Sequence, residues 1–520
     1  MKRYILLPIL AAAITVQAQD TYMNERITNN SSDVIGTARY VGMGGALGAL
    51  GADMSVISWN PAGIGLIRKN DIALTFGGHW GKSYIDEENR GKATFDQVGF
   101  VYNMKTGSDA CPYVNFAFNF QKKINFNHNF YAVNNNLGGL SQMDQLAQLT
   151  YWDEGWQNNL AGVALQYDFD AEQRGDERIF FKRDSNGNFY NDFSSLSNNY
   201  THHSEGSLQS FDFNLSTNIN DRAFLGLTVG VDNMRYRGWT NYFEIGEGNY
   251  GVKDYDIHVS GTGVNVKLGA IVRPFADNPF RVALAVETPT WYKLKRYSYF
   301  NLYDDNGMRT PDGDSYLKFK LRSPWKIRTG IGSTIGSTFA WDIDYEYAAY
   351  TGMSMSYPGD DYDNSGSYKD VSMNKLTRDI LRGTHTLRVG LEANATKNLA
   401  FRVGYNLSTS AYKKNLYFDQ YNLNSRAMDY STSTSFMRMG TTNILTLGVG
   451  YRTKNFYVDL AYKLRNQFAD VYAFDTSFTD SNNGDPVFLN NNPGLADMTI
   501  NPVNVDLTRH AITCTLGVKF

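Results

Sequence analysis

The sequence contains little of what defines several large classes of protein. Cysteine accounts for only 2 of 520 residues, so a disulfide framework is excluded. The formal net charge is −3, so the chain lacks the polybasic surface of a nucleic-acid-binding protein. No apolar run approaches the roughly 18 residues that a transmembrane helix requires. A disulfide-stapled domain, a nucleic-acid-binding protein and a helical membrane protein are therefore all disfavoured.

Residues for catalysis or metal binding are also sparse. The 7 histidines are scattered and show no metal-ligand spacing such as HExxH. His202 and His203 adjoin a long external loop, and we interpret them as a solvated pair rather than as ligands of a metal or a haem iron. No serine or histidine constellation stands out at a predicted membrane rim. We therefore expect no enzyme activity, no metal and no cofactor.

The N-terminus predicts export. The segment MKRYILLPILAAAITVQAQD places two basic residues before an apolar run, with Val16 and Ala18 at the positions that a signal peptidase reads. We predict a signal peptide over residues 1–18, cleaved after Ala18. The run is too short for a membrane anchor, and no cysteine follows the cut, which argues against a lipoprotein.

Aromatic residues and glycine are abundant, with 35 Tyr, 31 Phe and 47 Gly. From Asp71 onward apolar residues recur at every second position, as in HAITCTLGVKF, LAFRVGYNL and FAWDIDYEY. The alternate positions are small or charged, which is typical of strands with lipid on one side and a polar lumen on the other. A soluble sandwich would show the same alternation, so the period alone does not separate the two folds.

The lengths of the connections do separate them. Short turns such as NINDR, PFADNP, IGST and two TKN segments alternate with long polar connections at 123–206, 237–254, 300–313, 352–382, 414–439 and 467–507. Short periplasmic turns and long extracellular loops are the signature of an outer-membrane barrel. We predict an all-β fold: a fourteen-stranded antiparallel transmembrane β-barrel over residues 70–520, in the outer membrane of a Gram-negative cell. The predicted strands are 70–78, 93–104, 112–122, 207–219, 222–236, 255–273, 279–299, 314–335, 338–351, 383–396, 398–413, 440–452, 454–466 and 508–520.

The last strand ends on Phe520, with apolar residues at every second position before it. This ending is similar to the signal that the barrel-assembly machinery recognises, although an ordinary edge strand could end in the same way. Cys514 lies on the predicted lipid face of this strand, whereas Cys111 lies in a predicted periplasmic turn. A disulfide needs Cα atoms within about 7 Å, so we predict none.

Charged residues are expected on the lumen face of the central strands. We interpret them as an ion-pair ladder that fills and stiffens the barrel, with a translocation path as the alternative. The row comprises Asp342, Asp344, Glu346, Arg388, Glu392 and Arg402.

One glycine-rich stretch, GMGGALGALG, precedes the first strand at residues 42–51. A dinucleotide-binding loop needs a preceding strand, a following helix and an acidic residue about 20 positions further on. None of these surrounds the stretch, and no Walker lysine follows it. We therefore do not expect phosphate binding there.

The longer stretch ARYVGMGGALGALGADMSVISWNPAGIGLI resembles the N-terminal pattern of the long-chain fatty acid transporter family of outer membrane proteins, also called the aromatic-hydrocarbon transporter family. The shared features are Ala-Arg, a Gly-Met-Gly-Gly-Ala core, a run of small residues and Asn-Pro-Ala-Gly before the first strand. The segments SPWKIRTGIGSTIGSTFAWDIDYEYAAYT, HTLRVGLEANATKNLAFRVGYNLS and ILTLGVGYRTKNFYVDLAYKL are also similar to the C-terminal hairpins of that family.

The resemblance implies a barrel whose lumen is closed by a small N-terminal hatch, here residues 19–69. Hydrophobic molecules would be captured outside and released passively through an opening in the barrel wall. Three glycines would let the hatch backbone pack closely inside the barrel: Gly42, Gly44 and Gly45. Four residues would form the turn that leads into the first strand: Asn60, Pro61, Ala62 and Gly63.

A segment of the longest connection has apolar residues near helical spacing. It would form an amphipathic lid that presents a first, weak capture groove for an apolar ligand, or it would cap the barrel mouth and pack on itself. The residues are Leu140, Met143, Leu146, Leu149, Trp152 and Trp156.

Three functions stay open at this point. The first is a passive outer-membrane transporter of fatty-acid-like or other hydrophobic small molecules, because residues 19–69 are too few for the plug of an energy-coupled receptor. The second is a barrel whose loops bind a protein partner in a secretion or assembly complex, and the third is a lipid enzyme at the membrane rim. Membrane lipid and, during biogenesis, the barrel-assembly machinery are further expected partners. The predicted lumen has many charges and few large apolar side chains, which leaves the ligand unnamed.

Overall fold

The fold is described from a computed structural model of the chain. The structure describes residues 33–81, 91–151, 160–173, 180–183, 185, 189–190, 193–247, 250–304, 310, 313–359, 366–413, 434–474 and 500–520. The predicted signal peptide, residues 1–18, and the first part of the predicted hatch, residues 19–32, lie outside the described residues.

Antiparallel strands make up most of the described chain, because alternating apolar and small or polar residues favour an extended backbone with two different faces. The last strand pairs with the first, from Asp71↔Lys519 to Gly81↔Arg509, and this pairing closes the sheet into a barrel. The strands are β1 (Asp71–Gly81), β2 (Lys92–Lys105), β3 (Tyr113–Asn125), β4 (His128–Asn134), β5 (Lys182–Arg183), β6 (Phe189–Tyr190), β7 (Ser194–Ile219), β8 (Ala223–Glu247), β9 (Tyr250–Val272), β10 (Arg281–Glu287), β11 (Trp291–Asp304), β12 (Gly313–Arg322), β13 (Lys326–Ile335), β14 (Phe339–Ala348), β15 (Ser354–Pro358), β16 (Ser367–Lys369), β17 (Thr384–Asn394), β18 (Leu399–Ser408), β19 (Phe436–Arg452), β20 (Phe456–Tyr472), β21 (Val503–Asp506) and β22 (Arg509–Lys519).

The wall of the barrel has fourteen strands, which confirms the prediction. Four wall strands consist of two segments each, namely β10/β11, β12/β13, β14/β15 and β21/β22. The other ten are β1, β2, β3, β7, β8, β9, β17, β18, β19 and β20. The short β4 pairs with β7 beyond the end of β3, β16 pairs with β15, and β5 and β6 form a separate small sheet.

The outer face of the wall is apolar. Large side chains such as Phe76, Leu225, Leu284, Phe401 and Leu447 point outwards and are exposed. Residues at the alternate positions of the same strands are buried in the lumen. A closed barrel with an outward apolar band has its backbone hydrogen bonds satisfied and its apolar surface in lipid, so this is an outer-membrane barrel.

The short turns lie where the sequence predicts them, at 106–112, 220–222, 273–280, 336–338, 395–398 and 453–455. One of the predicted long connections is wrong, and another contains secondary structure. Residues 237–254 are mostly strand, because β8 runs to Glu247 and β9 begins at Tyr250. Residues 352–382 contain β15, β16 and a helix. Beyond the lipid the outer face of β8 mixes polar and apolar residues, such as Arg237, Trp239 and Asn241, so the sequence contrast that marks a strand disappears while the hydrogen-bonded ladder continues.

Two predicted strands, 279–299 and 314–335, are wrong as continuous elements. They are interrupted at Pro289 and Pro324, and proline has no backbone N–H to donate to a ladder. The Thr290 N–H donates instead to Ser323 Oγ at 2.8 Å. The next wall strand is interrupted beside them, at the 3₁₀ turn Tyr350–Gly352.

Helices occur inside the barrel and at its extracellular end. The α-helices are α1 (Ala38–Gly42), α2 (Gln142–Tyr151), α3 (Leu160–Gln173) and α4 (Val371–Ile380), and two further 3₁₀ helices are Met54–Ser58 and Pro61–Leu66. Within the described residues, none of these helices is long and apolar enough to cross a membrane.

The lumen has two layers. The layer beside the short turns is filled by the described N-terminal residues 33–67, here called the plug, whose apolar side chains pack on each other and on small wall residues. The layer beyond it, here called the apolar chamber, is filled by large apolar side chains from the extracellular halves of the wall strands and from α2, α3 and α4, which pack on one another. The prediction of few large apolar side chains in the lumen is therefore wrong for the extracellular half. Members of the chamber include Phe126, Phe130, Tyr236, Phe300, Phe319, Met355, Met437 and Phe474.

Candidate functional site

The plug is a compact coil of short helices whose ends are capped by its own side chains. Thr37 Oγ1 accepts from the Tyr40 N–H at 3.1 Å at the start of α1. Asp53 Oδ1 accepts from the Ser55 N–H at 2.9 Å at the start of the next helix. Capping satisfies backbone groups that no water reaches in the lumen, so short helices persist there.

The predicted hatch glycines lie where plug backbone meets wall backbone. Gly44 and Gly45 have φ of 64° and 79°, a left-handed conformation that favours glycine. A Cβ on the wall residue Gly404 would lie 2.1 Å from the Gly44 nitrogen, and one on Gly448 would lie 3.1 Å from Gly42 Cα. The close approach therefore depends on glycines from both sides.

The second predicted group lies against β8 and β9. Asn60 Oδ1 accepts from the Ala62 N–H at 3.2 Å and begins the 3₁₀ helix Pro61–Leu66. A Cβ on the wall residue Gly226 would lie 2.3 Å from the Pro61 carbonyl carbon. A Cβ on its ladder partner Gly269 would lie 2.1 Å from Asn60 Oδ1. The predicted turn is thus a helix seated on a pair of wall glycines; Ala62 and Gly63 are buried in the same helix.

Sequence reasoning missed these wall glycines, which are Gly226, Gly269, Gly404 and Gly448. They occupy lumen-facing positions of period-two strands, where a small residue leaves room for a second backbone. Their place at lumen-facing positions of the alternating pattern is the signal that could have identified them as a docking surface for the plug.

Two wall carboxylates hold the plug backbone. Asp344 Oδ2 accepts from the Gly48 N–H at 2.8 Å. Asp342 Oδ2 accepts from the N–H groups of Ala49 and Leu50 at 3.0 Å and 2.7 Å. Buried N–H groups need acceptors, so these aspartates replace water for three consecutive plug residues.

Two wall arginines hold a plug tryptophan that sequence reasoning missed. The Arg328 and Arg388 guanidinium carbons lie 4.7 Å and 3.6 Å from the centroid of the Trp59 ring. Arg328 also bridges Glu287 and Glu346 at 2.5 Å and 2.6 Å. Arg388 donates to the Tyr40 hydroxyl at 2.6 Å.

A third group joins the plug to β17, β18 and β20. Plug residue Arg39 lies 3.0 Å from Glu392, which Arg402 approaches at 2.6 Å. Arg402 continues the chain to Asp459 at 2.5 Å. The structure therefore brings all six predicted luminal charges into one layer, where Glu346 pairs with Arg328, Glu392 pairs with Arg402, and Asp342, Asp344 and Arg388 bind the plug.

The first described plug residue is also anchored. Asp33 Oδ1 lies 2.6 Å from Lys463 Nζ. Burial opposes ionisation of Asp33, but the charges of Lys463 and Arg465 hold its pKa well below the ordinary value. Asp33 is therefore a carboxylate at neutral pH.

A cavity of about 90 Å³ lies between the plug and the apolar chamber. Ile124, Leu208 and Tyr350 of the chamber line it on one side, while Trp59 and Arg388 line it on the other. The cavity therefore has both apolar and charged walls. Further lining residues are Asp33, Ile35, Tyr40, Gln121, Lys123, Asp232, Glu287, Tyr292, Arg328 and Glu346.

The wall is incompletely paired beside the plug. The ladder between β2 and β3 stops at Gln97↔Gln121, although β2 continues to Lys92 and β3 to Asn125. Lys122 Nζ lies 3.4 Å from Asp96 Oδ1 across the unpaired part. A second cavity, of about 40 Å³, lies on the lumen side of this part and is lined by Asp33, Ile35, Thr94, Asp96 and Asn125 together with residues of β1, β20 and β22.

Three of the six predicted external capture residues face inwards. Leu140, Met143 and Leu146 are buried in the apolar chamber. The start of α2 is held by Glu244, which accepts from Ser141 Oγ and the Gln142 N–H, both at 2.6 Å. Leu149 lies within α2, but its side chain, together with Trp152 and Trp156, lies outside the described residues.

Four other predicted residues can be placed. The prediction of a solvated histidine pair is wrong for His202, which is buried against Phe130 with ring centroids 5.0 Å apart, since the strand β7 turns it into the lumen. Phe520 accepts from and donates to the Asn70 backbone, both at 3.1 Å. Cys111 and Cys514 are both free.

No protein-family profile and no curated protein matches the sequence. The structure is similar to that of a Pseudomonas aeruginosa FadL homologue, with 13% identity, a TM-score of 0.51, and coverage of 94% of this chain and 100% of that chain. It is also similar to the Ralstonia pickettii toluene transporter TbuX, with 12% identity, a TM-score of 0.44, and coverage of 94% and 98%. The Pseudomonas putida toluene transporter TodX matches with 10% identity, a TM-score of 0.46, and coverage of 94% and 99%. The resemblance seen in the sequence is confirmed at the level of the fold, which this chain shares with the FadL homologue along almost its full length.

Proposed function

We propose that this protein is a passive outer-membrane transporter of hydrophobic small molecules, with the plug as a hatch and with lateral release into the membrane. The observation that carries the proposal is the arrangement of the chamber, the plug and the wall. The apolar chamber ends at the plug, polar side chains of the wall bind the plug, and the wall beside the plug is incompletely paired. The FadL homologue supports the architecture, and TbuX and TodX, which the structure also resembles, are toluene transporters.

The two cavities support a route for an apolar molecule. The cavity between chamber and plug and the cavity beside the unpaired wall share Asp33 and Ile35 as lining residues. A molecule that leaves the chamber would pass these residues and meet Lys122 and Asp96 at the wall. Small movements of the plug's first residues would then open or close the passage.

Lateral release suits the energetics of an apolar cargo. Straight passage would take the molecule through the charged layer that holds the plug and into water. Exit through the wall leads into lipid, which favours an apolar molecule by about 0.8 kcal/mol per methylene. The preference of the apolar molecule for lipid over water drives such transport, so it needs no coupled energy source.

The proposal predicts bound apolar molecules in the purified protein. Mass spectrometry of solvent extracts should detect them in the wild type and not in Leu208→Arg, which places a charge in the apolar lining of the cavity. The matched control is Phe169→Arg, because Phe169 is exposed on α3. Both variants should retain the thermal stability of a folded barrel.

The opposite result has a specific meaning. If the wild type carries no apolar molecule beyond that of Leu208→Arg, the transporter proposal fails. The alternative, a barrel that binds a protein partner for a secretion or assembly complex, would then be favoured if a protein co-purifies through the loops.

A further inference from the structure

The outer surface carries a cluster of cations that the transport route does not use. In the ladder between β11 and β12, Lys293 lies directly opposite Lys320, and Lys295 lies directly opposite Lys318. The residues between them along each strand are buried, so these four lysines, here called the lysine cluster, point outwards. Arg322 extends the row along β12 and is exposed.

Tryptophans mark the height of the lysine cluster in the membrane. Toward the short turns, the next outward residues are Trp291 and Trp325, which are 53% and 52% exposed. Beyond them the outward positions are apolar, as at Leu284 and Ile327. Tryptophan is enriched where lipid tails meet head groups. The lysine cluster therefore lies on the extracellular side of the apolar band, level with the head groups of the outer leaflet.

The arrangement is unfavourable without an external anion. Directly opposed residues have Cβ atoms roughly 5 Å apart, and like charges in that position are destabilising. None of the four lysines forms an ion pair with any residue that the structure describes. On the same outer face, exposed Asp314 lies further along β12, opposite Tyr299.

The cluster also extends sideways. Lys295 lies opposite Ser260 of β9, and Ser260 lies opposite the exposed Arg235 of β8. On the extracellular side, Tyr297 and Tyr316 stack outwards with ring centroids 4.3 Å apart. Cations thus stand on β8, β11 and β12, with β9 between β8 and β11, and aromatic rings lie above and below the lysine cluster.

We propose that the lysine cluster binds the phosphate groups of an anionic lipid in the outer leaflet. Ammonium groups bind phosphate as point charges, and their flexible stems let paired lysines converge on one phosphate. Lipid is the favoured partner because the cluster continues directly from the apolar band, where lipid already covers the wall. The role is independent of transport. The bound lipid would hold the barrel at a fixed depth relative to the outer leaflet.

The test compares lipid binding by the purified full-length protein in zwitterionic detergent. The probes are lipid A with its phosphates, dephosphorylated lipid A, and inorganic phosphate. The variants are Lys293→Gln with Lys320→Gln and, as the control, Lys397→Gln with Lys454→Gln in the exposed short turns at the opposite end. Loss of two cations near an anionic surface should weaken binding of lipid A about 30-fold, while the control binds like the wild type.

Thermal unfolding separates binding from a general loss of fold. Without anionic lipid, the Lys293→Gln, Lys320→Gln variant should be as stable as the wild type or more so, because it relieves repulsion. Adding lipid A should raise the unfolding temperature of the wild type but not of the variant. The proposal is overturned if dephosphorylated lipid A or inorganic phosphate binds as tightly as lipid A, or if the variant binds lipid A normally.

Discussion

Individual residues in the lumen serve as substitutes for water. The plug exposes backbone N–H and C=O groups to a closed interior, and each must find a partner. Asp342 and Asp344 accept from the plug, while Arg281 donates to Leu50 O at 2.7 Å and Asn115 donates to Ile64 O at 2.6 Å. A plug held by hydrogen bonds and ion pairs can be released by exchanging them for water, which an apolar interface would resist.

One residue outside the membrane gives a prediction about pH. Asp168 of α3 accepts from the N–H groups of Phe180 and Phe181 at 2.6 Å and 2.7 Å. Burial raises the pKa of Asp168 to about 7 from its ordinary 3.8. The folded state therefore binds a proton more tightly than the unfolded state, and docking of α3 should become more stable as the pH falls through 7 toward 4.

Hydrogen exchange measures this effect. Protection of residues 160–173, corrected for the intrinsic pH dependence of exchange, should be greater at about pH 5 than at about pH 8. The Asp168→Asn variant, which stays neutral, should show a flat profile. Greater protection of the wild type at the higher pH would show that the ionised carboxylate is the stabilising form.

At the scale of elements, the period-two pattern was enough to predict the number of strands but not their interruptions. Apolar alternation marks the part of each strand that faces lipid, so the strand core between Leu399 and Leu407 was predicted well. The extension of β8 to Glu247 was not, because outside the lipid neither face needs to be apolar. Proline is a local sequence signal for the breaks at Pro289 and Pro324. The long alternation of apolar and polar residues on both sides of each proline nevertheless led to the prediction of continuous strands.

The sequence predicted the plug residues of the candidate site but not their partners on the wall. Gly44 and Asn60 stand out in a glycine-rich stretch with a family resemblance. Their wall partners, such as Gly404, lie hundreds of residues away and look like ordinary strand glycines. Only the closed barrel brings the two sets together, and no local pattern encodes that contact.

The contact between glycines predicts the effect of one methyl group. In Gly404→Ala the new Cβ would lie 2.1 Å from the Gly44 nitrogen, and both sides are backbone that cannot rotate away. We expect about 1–3 kcal/mol of overpacking, relieved by displacement of the plug from an intact wall. Cells with this variant should become several-fold more sensitive to vancomycin, a hydrophilic antibiotic. Gly352→Ala, where a Cβ meets open space, is the control and should have no effect. Equal resistance of both variants would contradict a tightly seated plug.

At the scale of the whole molecule, the lumen combines an apolar chamber with a layer beside the short turns in which charged wall residues bind the plug. Composition could not reveal this division. Along each strand, lumen-facing residues alternate with lipid-facing apolar residues, whether the lumen-facing residues are charged or apolar. The extracellular layer suits molecules that avoid water, and the charged layer blocks their direct passage. Under the proposed function, the unpaired part of the wall between β2 and β3 would be the exit.

The most direct test of this account is to bridge that exit and measure transport. In a background of Cys111→Ser and Cys514→Ser, the pair Asp96→Cys and Lys122→Cys would be joined by a reducible bis-thiol linker, with the two single-cysteine variants treated identically. Entry into cells of the apolar molecule that co-purifies with the wild type should fall to the level of cells without the protein when the wall is bridged, and should recover after reduction. Unchanged entry of that molecule through the bridged barrel would contradict lateral release and, with it, the proposed route.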